Sequence, residues 1–149
     1  TGERSPAGAA GWQRTTTETD TPPAVRFGNM ILVDTSVWID HLRTGDERLI
    51  ELLDTSQVLA HPFIIGELAC GNLHKRDDVL RLLNDLPQAA VASQEEVLHF
   101  IEHNKLMGQG TGYIDAHLLA STALTDTALI WTCDKRLQKI ARKLKLVFD

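Results

Sequence analysis

Cysteine is scarce in this chain. Only Cys70 and Cys133 occur among its 149 residues, too few for a disulfide framework or a thiolate metal cage, so a reducing, cytoplasmic setting is expected. Long apolar runs are also missing. Nothing approaches the roughly 18 consecutive apolar residues of a membrane span, and the N-terminal stretch lacks the apolar core of a secretion signal, so no membrane partner is expected. Positive charge is outnumbered, with 15 Lys and Arg against 20 Asp and Glu and a formal charge of −5. That balance argues against a general polyanion binder, which is usually basic. What is present is ordinary: 43% hydrophobic residues, enough for one domain to fold without cross-links.

Residues 1–29 are rich in Gly, Ala, Thr and Pro, and three acids (Glu3, Glu18, Asp20) cancel three arginines (Arg4, Arg14, Arg26). The segment reads as a disordered extension, or as a piece foreign to the native protein. Met30 coincides with the start of the first apolar run and is the expected native start, which mass spectrometry of the native protein tests. The folded domain is therefore expected to span residues 30–149.

From Met30 onward, apolar runs alternate with helical periodicity. Met30-Ile31-Leu32-Val33 runs straight into Asp34-Thr35-Ser36, the pattern of a buried strand feeding a helix. Short helices are predicted over Ser36–Leu42 and Asp46–Leu53, then a strand over Gln57–Ala60. His61-Pro62 opens a helix stopping near Gly71-Asn72, since Pro is tolerated in a first turn. A helix over Asp77–Leu86 ends at Pro87, and Ala89–Ala92 is a weaker strand. Ser93-Gln94-Glu95-Glu96 matches a capping box opening a helix to about Met107. Gly108 to Gly112 is a connector that misses the dinucleotide fingerprint, because its third glycine comes one residue early and no strand precedes it. Tyr113–Leu124 is a strongly apolar helix, Thr127–Trp131 a strand, Asp134–Lys143 a basic helix and Leu146–Phe148 a terminal strand. This alternation predicts a three-layer α/β/α domain with a central parallel sheet of about four to five strands.

Four acids stand apart from the rest. Pairs such as Asp46-Glu47 and Asp77-Asp78 sit in polar helix starts and need no further account. Asp34, by contrast, ends the first strand, and Asp134 follows Leu129-Ile130-Trp131-Thr132-Cys133. Glu67 and Asp115 lie inside Ile64-Ile65-Gly66-Glu67-Leu68 and Tyr113-Ile114-Asp115-Ala116. A carboxylate in apolar surroundings costs several kcal/mol unless paired or bound to a metal. Singly, Asp34 and Asp134 could be helix caps, Asp115 could favour a helix N-terminus, and Glu67 could pair with a nearby base. Jointly, two acids mark the carboxyl ends of parallel strands and two lie near loops crossing the same edge. Ligands bind along that edge, and an all-oxygen donor set suits Mg²⁺ or Mn²⁺.

The motifs in this order resemble the PIN-domain family, and within it the VapC-type ribonuclease toxins of toxin–antitoxin pairs. The resemblance is carried by Ile31-Leu32-Val33-Asp34-Thr35-Ser36-Val37-Trp38-Ile39, Ile65-Gly66-Glu67-Leu68, Gly112 to Ala120 and Thr132-Cys133-Asp134-Lys135-Arg136-Leu137. It implies an acidic quartet of Asp34, Glu67, Asp115 and Asp134 around Mg²⁺ or Mn²⁺, with Asp34 and Asp115 the most direct ligands. Ser36 and Thr132 match hydroxyl positions that support the carboxylates. Cys133 departs from the polar or basic residue the family often has there. The implied activity is metal-dependent cleavage of RNA by an endoribonuclease that acts as a homodimer and is silenced by a cognate, VapB-like antitoxin in the active-site groove.

One local excess of positive charge offsets the acidic average. Lys135, Arg136, Lys139, Arg142, Lys143 and Lys145 follow the last acid of the quartet with no acid among them. Lys135, Arg136, Lys139 and Arg142 are the expected RNA contacts, a phosphate track beside an acidic site. Rival readings lack their markers. A receiver-like signalling domain needs an acidic pair after its first strand and a Lys ending a later one. An aspartyl phosphatase needs a second Asp where Ser36 stands. A catalytically silent PIN fold serving as a binding module would have no use for an intact quartet. His99 and His103 share zinc-ligand spacing, but Phe100 stands where a metalloprotease has Glu.

Overall fold

Strand β1 (Met30–Val33) occupies the middle of the sheet because all four of its residues are apolar and buried, on both faces at once. The computed structural model describes residues 28–149; apart from its last two residues, the segment expected to be disordered lies outside the described residues. Helix α1 (Thr35–Thr44) follows β1 directly, then α2 (Glu47–Asp54) and β2 (Val58–Leu59). Four helices come next: α3 (Pro62–Ala69), α4 (Arg76–Asp85), α5 (Gln94–His103) and α6 (Tyr113–Leu124). Strand β3 (Ala128–Trp131) and helix α7 (Lys135–Lys143) complete the described elements. The strands run parallel in the order β2-β1-β3, with Ile31 opposite Val58 and Leu129, and Leu32 opposite Leu59 and Ile130. The α/β expectation holds.

The sheet is narrower than expected. Three strands form it among the described residues, and the segments expected as outer strands make one bridge each, Gln88 to Ala60 and Val147 to Ile130. The physical reason lies in where their amides go. The Ala89 N–H donates back to the Ala60 carbonyl; on the side away from β2 the Ala90 N–H donates to Thr125 Oγ1 and the Ala92 N–H to Ser121 Oγ, so the segment is tied to α6 and the turn after it. At the other edge the Leu146 N–H is still tied to the Ala141 carbonyl, which limits the last segment to one bridge.

The helix boundaries follow local chemistry. Ser93 and Glu96 form the expected capping box, and Asp46 caps α2 by accepting from the Leu49 N–H. Helix α5 stops at His103 rather than near Met107, because Lys105 turns left-handed (φ 52°). Helix α6 is buried from Ala116 through Ala123, as a helix apolar on every side must be. Trp38 is wholly buried, as expected for a core residue. Trp131 and Phe148 are only half-buried, and the Arg48 guanidinium lies over both rings at 5.2 and 4.3 Å.

His61 anchors α3 from inside the core. Its Nδ1 accepts from the Phe63 N–H at 3.0 Å, so a neutral ring carries its proton on Nε2, which donates to Ser121 Oγ at 3.0 Å. Burial, followed by the charge of His117, lowers its pKa from 6.5 to about 4. The unfolded chain thus takes up a proton more readily than the native state. Stability is complete above pH 6.5 and is lost as pH falls toward about 4. Between pH 7 and 5 the His61 contribution falls by about 2 kcal/mol. Urea unfolding of the unaltered protein and of His61→Asn at both pH values isolates it, the unaltered protein losing about 2 kcal/mol relative to the variant; an equal change in both would show another group to be responsible.

Candidate active site

The two crossovers out of β1 and β2 travel in opposite directions: one places β2 on one side of β1, the other passes back and places β3 on the opposite side. A crevice opens at the carboxyl ends of β1 and β3, where the strand order switches. Asp34 leaves β1 at this point, its N–H donating to the Trp131 carbonyl of β3 at 2.9 Å. Asp134 lies three residues beyond β3 and caps α7.

Asp34 is 8% exposed, and its Oδ2 collects a converging set of donors. The hydroxyls of Ser36 and Thr132 each donate to it at 2.8 Å, and the Ser36 N–H approaches at 3.5 Å. Each hydroxyl also accepts from a backbone amide, Ser36 Oγ from Cys133 and Thr132 Oγ1 from Asp134, both at 3.0 Å. Two amides, two hydroxyls and one carboxylate therefore form a continuous chain, each member polarising the next. None of these bonds uses Oδ1. Ser36 and Thr132 thus support the carboxylate as expected.

Asp115 stands in the first turn of α6 and has no hydrogen bond of this kind. Its carboxyl is pushed up from 3.8 to about 6, first by burial and then by the charges of Asp34, Asp134 and Glu67. The charges of Asp34, Asp134 and Glu67 thus reach Asp115 through space, as a secondary cause behind burial. The side chains still turn to separate local partners. Glu67, exposed on α3, accepts from Thr35 Oγ1 at 2.9 Å. Asp134 accepts from the N–H groups of Arg136 and Leu137. Among the described residues no three His, Cys, Asp or Glu side chains meet at common-ion distance. The ion pairs found there, Arg81–Asp78 and Arg142–Asp149, involve none of the four. Carboxylates with no ion-pair partner among the described residues are hard oxygen donors of the kind Mg²⁺ and Mn²⁺ prefer, but as they stand their side chains are not gathered around one ion position.

Residues 31–143 match the PIN domain family. The chain belongs to this family. It is 51% identical over 109 residues to Ribonuclease VapC32 from two strains of Mycobacterium tuberculosis, covering 73% of the chain and 88% of that relative, which places it with the VapC-type PIN domains. His117, two residues from Asp115, turns into the rings of Phe63 and Tyr113, at 4.6 and 4.8 Å, rather than joining the carboxylates. Cys133 places its Sγ 3.7 Å from Asp40 Oδ2, and burial and that neighbouring acid raise the thiol's pKa. His99 and His103 stack on each other, exposed on α5. No described helix is long and apolar enough to cross a membrane.

The basic residues divide. Lys135, Arg136 and Lys139 share one groove of about 590 Å³ with Gln109, Ile140 and Lys143, whereas Arg142 pairs with Asp149 at 2.9 Å. Thr35, which donates to Glu67, and Gln109, which lines the groove, are neighbours of these residues that motif reasoning passed over. Thr35 adjoins the Asp34 motif, but a sequence does not show which of two adjacent hydroxyls faces which carboxylate.

Proposed function

We infer that this PIN domain is a metal-dependent endoribonuclease, the toxin of a type II toxin–antitoxin pair. The observation that carries the reading is the PIN-domain match over residues 31–143 together with the similarity to a VapC ribonuclease; the Asp115 carboxyl, raised first by burial and then by the charges of Asp34, Asp134 and Glu67, supports it. Asp34 and Asp115 would hold the Mg²⁺ or Mn²⁺, with Glu67 and Asp134 completing the shell directly or through water. When bound, the ion supplies an activated water and stabilises charge on the scissile phosphate. The chain's own residues hold the ligands in place. Ser36 and Thr132 fix the Asp34 carboxylate, Thr35 orients Glu67, and the first amides of α7 hold Asp134.

The reading extends to partners. An apolar groove of about 720 Å³ runs between α1, α3 and α4, with Ile39, Leu42 and Leu82 on its walls and Glu67 on its rim. It suits the apolar face of a VapB-like antitoxin, which would then lie beside the acids and exclude RNA. The active form is read as a homodimer.

The testing experiment incubates the protein with total cellular RNA, with and without Mg²⁺ or Mn²⁺, and maps the cut ends. Metal-dependent internal cuts without cyclic phosphate ends are expected, since water is the attacking group. Cyclic phosphate ends would mean attack by the substrate's own 2′-hydroxyl and would overturn the assignment.

A further inference from the structure

Helix α5 carries a pair of metal-binding side chains that the acidic site does not use. His99 and His103 are both exposed, with ring centroids 6.0 Å apart and ring planes 17° from parallel. Four residues of helix advance about 6 Å along the axis and return to nearly the same face, so the two rings ride one above the other. Phe100 removes the base that a zinc protease needs, but it leaves both imidazoles as donors.

The scaffold under the pair is fixed. The capping box of Ser93 and Glu96 ties down the first turn of α5, and Val97 and Phe100 are buried on its other side. The helix is also anionic, with Glu95, Glu96 and Glu102 and no Lys or Arg between Gln94 and His103, a field that draws cations. Two nitrogens at about 2.1 Å from one tetrahedral ion stand about 3.4 Å apart, a spacing that tilting two exposed rings toward each other achieves. The ion takes one ring nitrogen from each histidine and leaves the other for a hydrogen bond. Among the described residues no group of three His, Cys, Asp or Glu side chains gathers around one position, so water fills the rest of the shell.

Imidazole suits Ni²⁺, Cu²⁺ and Zn²⁺, whereas Mg²⁺ keeps to oxygen ligands. We propose that His99 and His103 form a chelate for a divalent transition ion of this nickel–copper–zinc group, separate in place and in chemistry from the carboxylates. The bound ion staples the last turn of α5, which ends at His103 and from which residues 104–112 lead into α6. The assignment does not depend on the nuclease reading.

Calorimetric titration of Ni²⁺ into the full chain, without an affinity tag and in excess Mg²⁺, tests it. One Ni²⁺ per chain is expected at this site, undisturbed by the Mg²⁺. His99→Gln or His103→Gln alone should weaken binding at least about tenfold, because the same helix no longer delivers a second donor. His74→Gln, which removes an exposed histidine elsewhere in the fold, should change nothing. His103→Asn combined with Asn104→His keeps the composition but sets the imidazoles five residues apart, off a common face, and should weaken binding as much as losing one. Circular dichroism checks that each variant keeps its helices. Unchanged affinity in the exchanged variant overturns the proposal, as does displacement by Mg²⁺ or an equal loss in His74→Gln. One ion for every two chains overturns it too, since the ion would then bridge copies. RNA cleavage in Mg²⁺ should be the same in the pair variants as in the unaltered protein, so the two readings stand or fall separately.

Discussion

Asp115→Asn is expected to abolish RNA cleavage and, in the same protein, to raise the unfolding temperature. Both effects come from one cause. Burial and the charges of Asp34, Asp134 and Glu67 lift the Asp115 carboxyl from 3.8 to about 6, so its ionised form is held against an electrostatic gradient. A carboxyl raised in the folded state contributes its full stability below about pH 4, and that contribution is lost as pH rises through about 6. At pH 7 the native state therefore carries a penalty that asparagine lacks. With allowance for the partial exposure of Asp115, its removal is worth about 1–2 kcal/mol. Cleavage should fall at least about 100-fold, because a ligand of the ion that would activate the water and stabilise charge on the phosphate is gone. Asp34→Asn provides the contrast. It too should lose activity, but Asp34 caps α1 and accepts from two hydroxyls, so its stability should drop by about 1 kcal/mol or more. Thermal melts at pH 7 and a gel assay on the same preparations check both variants. Undiminished cleavage by either one would sink the site assignment.

Metal removal should have an effect of similar size. EDTA is expected to stop cleavage completely, and Mg²⁺ or Mn²⁺ in excess to restore it. The same titration should raise the melting temperature of the unaltered protein, since a ligand at about 100 times its dissociation constant stabilises by about 2.7 kcal/mol. Asp115→Asn should blunt that rise, having lost both a ligand and part of the repulsion the cation relieves. Full activity in EDTA would replace this mechanism with acid–base chemistry on the 2′-hydroxyl.

Much of this was legible in one dimension because β1 and α6 are extreme cases. A strand buried on both faces must be a continuous apolar run, and Met30–Val33 is one. A helix buried all round shows no alternation, as in Ala116–Ala123 of α6. The four acids proposed for the site stood out in the sequence by the apolar residues around them. The outer strands were less legible. Ala89–Ala92 has strand composition, yet past the Ala89 N–H its amides bond the hydroxyls of Thr125 and Ser121, about 30 residues away in sequence. Local composition carries no information about those partners.

The basic helix makes the same division. Its six cations and its place after Asp134 are plain in the sequence, but their equivalence there is only apparent. Folding pairs Arg142 with Asp149 and sets Arg136 against Gly110, leaving Lys135, Lys139 and Lys143 as a row along one groove.

By itself, then, the sequence determined the α/β class and most of the order of elements, and it singled out the four acids as candidates, because burial and capping act over a few residues. Only the tertiary structure decided that Ser36 and Thr132 converge on the same oxygen of Asp34, and that burial, with the charges of the other three acids, raises the Asp115 carboxyl. Electrostatic coupling depends on distance through space, and the sheet's change of direction at β1 brings together acids that lie up to about 100 residues apart along the chain.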